Sequence, residues 1–204
     1  MQLTIRPLDA SSDLELEQYR ALEQALDDHV YGGHQEESLA QLRAGLEDTP
    51  YWTVRRWIAL AETLEGGEML VGRAMTFTPQ QENLESISVG VAVHPAHRGQ
   101  GIATALVEEA LLPAIEQSGR TLVEAYGEIE AGVDPEDPAH PVHRIAARLG
   151  VTRKNLAVCR ALPLPLDPAR LDALEAESAQ KRGEYRIEQW GGEIPEEHLS
   201  AYGR

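Results

Sequence analysis

The segment spanning residues 91–106 constrains the fold more than any other part of the sequence. It reads VAVHPAHRGQGIATAL: an apolar run that meets a proline, then two glycines, then a helix-forming stretch. Apolar residues continue at helical spacing as far as Ile115, which is typical of a helix with one buried face. The segment therefore predicts a buried strand, a tight turn and a helix in direct succession.

The glycines of this turn, Gly99 and Gly101, predict a binding site for an anion. Glycine allows a backbone that aims several N–H groups at one point, and a helix start favours negative charge. A pyrophosphate suits such a turn, and Arg98 stands where it either fixes the turn or meets a phosphate. A P-loop is disfavoured because Gly-Lys-Ser/Thr is absent, and Thr104 disfavours a dinucleotide fingerprint. A glycine turn without a ligand is the alternative.

The rest of the sequence predicts alternating strands and helices. A strand at LTIRPL and two helices, the first capped by Ser12 or Asp13, precede a hairpin over residues 51–79 and a strand at SISVGVAV. The helix over residues 100–118 contains Pro113, where we expect a kink or an early end. A strand at TLVEAYG, a short helix and a closing strand at NLAVCRAL complete the order.

The run Arg98-Gly99-Gln100-Gly101-Ile102-Ala103 resembles the Gln/Arg-x-x-Gly-x-Gly/Ala signature of the GNAT acetyltransferase superfamily. Val93-His94-Pro95 is similar to the strand ending that precedes this signature, and the order of elements matches the family's fold from Leu3 to about Leu162. The resemblance implies an α/β chain with α+β character. Its expected architecture is the GNAT acyl-CoA N-acyltransferase fold, a mixed central sheet flanked by helices.

The resemblance also implies acetyl-CoA as the cosubstrate. Backbone N–H groups of the turn and of the first helical residues hold the pyrophosphate, and backbone groups of the preceding strand pair with pantetheine. The implied cofactor-binding residues are Val91, Val93, Arg98, Gly99, Gln100, Gly101, Ile102, Ala103 and Thr104.

The family's reaction is direct attack of a neutral amine on the thioester, which needs a base, an oxyanion donor and an acid. A backbone N–H near Val91 is expected to serve the oxyanion, and Glu85, near the start of the same strand, is the predicted base. The usual tyrosine acid is absent, because Ala146 stands four residues before Gly150. Tyr126 is the predicted substitute. A solvent-facing Glu85 and a core-packed Tyr126 are the alternatives.

The formal net charge of −16 bears on partners. It argues against a nucleic-acid binder, which needs clustered Lys and Arg, and favours a cationic acceptor, with a solvated acidic surface as the simpler explanation. No apolar run approaches the roughly 20 residues that span a bilayer, and the N-terminus lacks signal-peptide zones, so a cytoplasmic protein without membrane contact is expected. Cys159 is the single cysteine and allows no internal disulfide.

Two stretches combine histidines with acidic residues. Residues 27–37 lie where GNAT helices line the acceptor site, so they predict an acidic lip for an amine. Residues 134–143 lie in a long loop before the late helix. Neither stretch matches an established zinc pattern, so solvated loops are the simpler interpretation and no metal is expected.

The C-terminal part changes character. We predict a GNAT acetyltransferase domain over residues 1–163, a linker helix over 164–184, and a strand with a helix start over 185–204. Asp167 and Gly183 supply the start and stop signals of the linker helix. Tyr185, Ile187 and Trp190 match the first strand, so this segment resembles the beginning of a second GNAT unit, as in tandem proteins of the mycothiol synthase kind. We expect its strand to add to the sheet of the first domain or of a neighbouring copy, so that a homodimer or a second GNAT unit docks through residues 185–204; coincidental similarity is the alternative.

The expected function is N-acetyl transfer, by direct attack, from acetyl-CoA to a primary amine of a small molecule, peptide or protein. The alternative is a catalytically silent acyl-CoA-binding module that supports or regulates a partner. Ala146, which stands in place of the usual tyrosine, favours this alternative.

Overall fold

The computed structural model describes residues 2–63, 66–160, 162 and 164–202. The chain divides into two compact units, Met1–Asn155 and Leu156–Arg204. Within the described ranges, no helix combines the length and apolar character needed to cross a membrane.

The first unit is built on a five-stranded sheet. Its strands are β1 (Leu3–Pro7), β2 (Trp52–Glu62), β3 (Glu68–Pro79), β4 (Ser86–Val93) and β5 (Leu122–Ala125). Its helices are α1 (Asp13–Tyr31), α2 (Leu39–Ala44), α3 (Ile102–Leu106), α4 (Leu112–Ser118) and α5 (Pro141–Arg148). The strands lie in chain order, antiparallel from β1 to β4 and parallel between β4 and β5. The mixed sheet and its helices confirm the predicted fold class.

Helices cover both faces of the sheet, as the pattern of β2 shows. Ile58 and Leu60 are buried in the core beneath α1 and α2. Ala59 and Ala61 are buried in a second core with α3, and α5 packs against that core. Successive side chains of a strand point to opposite faces, so the continuous apolar run of β2 from Trp57 to Ala61 reflects the covering of both faces.

Helix α1 has the predicted cap. The hydroxyl of Ser12 accepts a hydrogen bond from the N–H of Glu15, and Gly32 ends the helix in a left-handed conformation. The far end of α1 lies close to the short 3-10 turn Pro95–His97 that follows β4. The helix therefore brings its C-terminal residues towards the glycine turn.

The helix predicted around Pro113 does not end there. Between α3 and α4 the chain forms a π-helical turn, Val107–Leu111, and the helical run continues to Gly119. Proline donates no hydrogen bond, and its ring crowds the carbonyl four residues earlier. The wider turn accommodates both effects, so of the two expected outcomes, a kink or an early end, the early end does not occur, and the glycine stop is confirmed.

The second unit contains α6 (Pro168–Arg182) and α7 (Glu196–Tyr202). Asp167 caps α6 by accepting a hydrogen bond from the N–H of Ala169 at 3.1 Å, as predicted. The described residues of NLAVCRAL and of 185–190 form no strand, and Ala161 lies outside the described residues. A strand needs a neighbouring strand for its N–H and C=O groups, which strand-like composition alone does not supply, so neither predicted strand is present in the described part of these segments.

Candidate functional site

β4 and β5 separate before β4 ends. Their parallel pairing runs from Ser86 and Leu122 to Val89 and Ala125 and stops there, whereas β4 continues to Val93. On its other side β4 stays paired with β3 as far as Val93. The end of β4 therefore borders an opening beyond β5, which we call the β4–β5 cleft.

The backbone groups of Val91 and Val93 face this cleft. The N–H of His94 donates to the carbonyl of Val71 at 2.9 Å, so His94 points its backbone towards β3. Backbone groups alternate in direction along an antiparallel strand, so Val93 and Val91 point away from β3. The carbonyl of Glu85, which shares their direction, accepts hydrogen bonds from the beginning of β5 at 2.9 Å. An extended ligand could therefore pair with Val91 and Val93 as an added strand does.

The glycine turn is open and presents N–H groups. Gly99 and Gly101 have φ of 77° and 83°, and a Cβ added at either would meet nothing within 4 Å. Gly101 is the N-cap residue that precedes α3 and supplies no capping side chain. Because the first N–H groups of a helix lack partners within the helix, those of Ile102, Ala103 and Thr104 are suited to an anion.

Gly72 of β3 allows α3 to lie close to the sheet. A Cβ at this position would stand 3.1 Å from Leu106 Cδ1, 3.2 Å from Ile102 Cγ2 and 3.1 Å from the carbonyl oxygen of Ala92. Separations this short are tighter than ordinary van der Waals contact, so a methyl group here would require its neighbours in α3 or β4 to shift. The helix start is thus fixed against β3 and β4, next to the cleft.

Four side chains meet beside the end of β4, at what we call the Glu130 junction. Glu130 Oε1 lies 2.9 Å from His29 Nε2 and 3.2 Å from Arg98 Nη1, and its Oε2 lies 3.2 Å from His140 Nε2. Arg98 Nε lies 3.4 Å from the carbonyl oxygen of Val93. The junction joins α1, the glycine turn, the loop after β5 and the cap of α5.

The Glu130 carboxylate is the acceptor of this junction. A hydrogen bond from its own backbone N–H, with those from His140, Arg98 and His29, outweighs burial and lowers the pKa of Glu130 to about 2. Helix α5 sets the tautomer of His140, because the N–H of Val142 donates a hydrogen bond to His140 Nδ1 at 3.3 Å. Its Nε2 must then carry the proton that it donates to Glu130. Glu130 is ionised at neutral pH.

The two predicted catalytic residues lie at opposite ends of the paired strands. Tyr126 directly follows β5, where the strands separate, and is 91% exposed, so it does not pack in the core. Glu85 directly precedes β4 and is exposed. Its distance from Val91 along the strand is about 20 Å. The structure brings Tyr126, but not Glu85, to the cleft, and the role of each residue stays a prediction.

Carboxylates collect on the α1 side of the sheet near the end of β4. Arg73 of β3 forms an ion pair with Glu23 of α1. Burial, with the charges of Glu23 and Glu128, raises the pKa of Asp27 one turn further along α1. The hydroxyl of Tyr31 donates to Glu128 Oε1 at 2.7 Å. This side of the cleft is therefore acidic and partly buried.

Sequence reasoning does not single out Glu128 and Glu130, because their Gly-, Asp- and Pro-rich surroundings predict only a loop. Their one signal is that they follow β5, since loops at strand ends commonly carry binding groups. Across the described ranges, no group of three or more His, Cys, Asp or Glu residues is arranged to hold a metal ion.

The sequence profile of the Acetyltransferase (GNAT) family matches residues 18–146, more than half of the chain. The chain belongs to this family and is an acyltransferase of the N-acetyltransferase kind. A comparison with curated protein sequences finds no match.

Solved structures share the fold. A tandem GNAT protein from the clavulanic acid biosynthesis pathway is 22% identical, with a TM-score of 0.55 over 73% of this chain and 43% of its own. An aminoglycoside acetyltransferase from an uncultured soil metagenomic sample is 22% identical, with a TM-score of 0.53 over 80% and 100%. AAC(6')-Iy, in complex with the bisubstrate analogue CoA-S-monomethyl-acetylneamine, is 15% identical, with a TM-score of 0.51 over 80% and 99%. The chain thus spans less than half of the tandem protein.

Proposed function

We propose that the chain transfers an acetyl group from acetyl-CoA to a primary amine of a small molecule or peptide. The observation that carries the proposal is the separation of β4 from β5 directly before an open glycine turn. Both parts fit the cosubstrate: Val91 and Val93 offer a strand edge to the amides of pantetheine, and the N–H groups of residues 99–104 offer donors to its pyrophosphate.

The proposed roles follow the charges that the reaction creates. The amine nitrogen forms a bond to the acetyl carbon, the carbon–sulfur bond breaks, the amine loses a proton and the sulfur gains one. The N–H of Val91 stabilises the developing oxyanion, and Tyr126 donates the proton to the sulfur. Glu85 is the base predicted from the sequence. Asp27 is a second candidate, because it lies on the acidic side near the cleft and its raised pKa suits proton removal.

The acceptor is proposed to be a cationic amine. An ammonium group beside Asp27 and Glu128 offsets the repulsion between their carboxylates, which is one cause of the raised pKa of Asp27. An acceptor that carries several ammonium groups can form ion pairs with more than one of these carboxylates. The aminoglycoside acetyltransferase among the solved structures is consistent with such a small molecule.

A silent acyl-CoA-binding module is the second candidate function. It is favoured by Ala146, which stands where many members of the family carry the acidic tyrosine. In this case the cleft binds the thioester, but no group protonates the leaving sulfur.

Release of free thiol from acetyl-CoA, measured with a panel of amines, tests the proposal. We expect acceptor-dependent release that is greatest with polycationic amines and is reduced in Asp27→Asn. Glu85→Gln, measured in parallel, decides between the two bases. Cofactor binding without release from any amine supports the silent module. Absence of acetyl-CoA binding contradicts both functions.

A further inference from the structure

We propose that Arg98, His29 and His140 form an anion site that the Glu130 carboxylate occupies in the free protein. When acetyl-CoA binds, Arg98 leaves Glu130 and pairs with a phosphate of the cosubstrate. Glu130 is then a built-in competitor of the cosubstrate. The inference rests on the proposed function, because the phosphate belongs to the proposed acetyl donor.

The contacts of Arg98 in the Glu130 junction cannot all be favourable at once. Arg98 Nη1, His29 Nε2 and Glu130 Oε1 lie at the corners of a triangle with sides of 2.8, 2.9 and 3.2 Å. If His29 Nε2 carries a proton, two donors stand 2.8 Å apart; if it does not, its lone pair faces the carboxylate at 2.9 Å. Moving Arg98 off Glu130 removes the conflict, and His29 then donates to the carboxylate.

A phosphate bound at the glycine turn would lie close enough to Arg98 to form an ion pair with it. Arg98 directly precedes Gly99, and its side chain is 37% exposed, which leaves it room to turn. A phosphate presents more acceptor oxygens and more charge to a guanidinium than a carboxylate does. Glu130 keeps His140 and His29 as donors after the exchange, so no carboxylate is left without a partner.

The same residues do not suit a cation. Two histidines and a carboxylate are common metal ligands. Here, however, the Arg98 guanidinium lies 2.8 Å from His29 Nε2 and 3.2 Å from Glu130 Oε1, so a permanent positive charge stands among them. The junction therefore has the chemistry of an anion site.

Calorimetric titration of the full chain with CoA and with inorganic pyrophosphate tests the proposal. Glu130→Gln removes the competing charge and keeps the shape of the side chain. Glu136→Gln is the matched control: it removes one negative charge from the same loop, where Glu136 is 68% exposed and pairs with Arg153. We expect Glu130→Gln to lower the Kd of both ligands by about threefold to tenfold, and Glu136→Gln to leave it within about twofold of wild type.

Other outcomes overturn the proposal in distinguishable ways. If wild type binds CoA and Glu130→Gln binds it equally or more weakly, Glu130 does not compete, and the proposed function stands. If only CoA, and not pyrophosphate, binds more tightly, the phosphate assignment is wrong. If wild type binds neither ligand, the proposed function fails as well. If Glu130→Gln does not fold, Glu130→Asp, which retracts the carboxylate by one methylene, is tested in its place. We expect Glu130→Asp to lower the Kd of both ligands, but by less than the change expected for Glu130→Gln.

Discussion

Gly101 lies in the glycine turn, where backbone N–H groups rather than side chains are proposed to bind the pyrophosphate. It holds φ at 83° at the start of α3, with open space where a side chain would stand. Gly101→Glu puts a carboxylate into the space proposed for the pyrophosphate. We expect the Kd for CoA to rise by at least about a hundredfold, as measured by calorimetry.

Gly119→Glu is the control for backbone strain. Gly119 has φ of 65° and equally open surroundings, but it lies at the far end of the same helical run. Both substitutions force a side chain into a left-handed conformation, which costs about 1–2 kcal/mol. We expect similar losses of stability and normal CoA binding in Gly119→Glu. Equal effects of the two variants on CoA binding contradict the proposed role of the turn.

Glu130 predicts a specific dependence of stability on pH. Its hydrogen bonds hold its pKa at about 2, below the ordinary value of 4.5. A carboxyl whose pKa falls on folding stabilises the fold fully above its ordinary pKa, and this stabilisation is lost as pH falls towards the folded value. Urea unfolding at several pH values should therefore show a smaller loss between about pH 5 and pH 3 in Glu130→Gln than in wild type. Parallel curves contradict the account of the junction.

At the residue scale, the sequence predicts the site residues whose role depends only on their neighbours along the chain. Gly99, Gly101 and Arg98 are recognisable because the turn needs its residue types at fixed spacing. Glu130 is not, because its partners His29 and His140 are brought to it by α1 and α5. Which carboxylate meets which donor depends on tertiary contacts that no local pattern contains.

The close approach of α3 to the sheet fixes the position of the glycine turn. Gly72→Ala adds a methyl group at 3.1–3.2 Å from α3 side chains and from a β4 carbonyl. We expect a loss of about 1–3 kcal/mol in the free energy of unfolding and weaker CoA binding, because α3 must move outward.

Gly33→Ala is the control for this change. Gly33 has nothing within 4 Å of an added Cβ. Its replacement should leave stability unchanged or raise it by up to about 1 kcal/mol, because alanine restricts the unfolded chain. If Gly72→Ala is as stable as Gly33→Ala in urea unfolding, the packing of α3 is not as tight as described.

At the element scale, hydrophobic patterns and helix-capping residues predict the order of elements as far as α5. Alternation and apolar runs give β1 to β5, and Ser12, Gly119 and Asp167 mark helix ends correctly. The π-helical turn before Pro113 escapes prediction, because the proline can be accommodated in several ways. The two strands predicted near the C-terminus fail because strand-like composition does not supply a partner strand.

The second unit carries much exposed apolar surface. Tyr185 is 85% exposed, Ile187 83% and Tyr202 69%. Exposed apolar groups of this size commonly mark contact sites between proteins. The prediction that residues 185–204 dock on another GNAT unit or on another copy therefore remains a proposal, and the oligomeric state tests it.

Light scattering with size exclusion compares the full chain with a chain that ends at Leu166. We expect the full chain to associate as its concentration rises and the shortened chain to stay monomeric. The shortened chain should still bind CoA, because both cores lie within the first unit. A full chain with Tyr185→Ser and Ile187→Ser should behave like the shortened one. Equal masses for all three proteins contradict the docking proposal.

Backbone amide exchange, followed by NMR with and without CoA, tests the central claim at the level of the whole site. The amides of Val91, Val93 and residues 99–104 should exchange quickly in the free protein and slowly with CoA, because the cleft and the glycine turn bind the cosubstrate. The amides of Ile87 and Val89, already beside β5, should be slow in both states. If CoA slows none of the first set, or protects a different surface, the cosubstrate does not bind between β4 and β5.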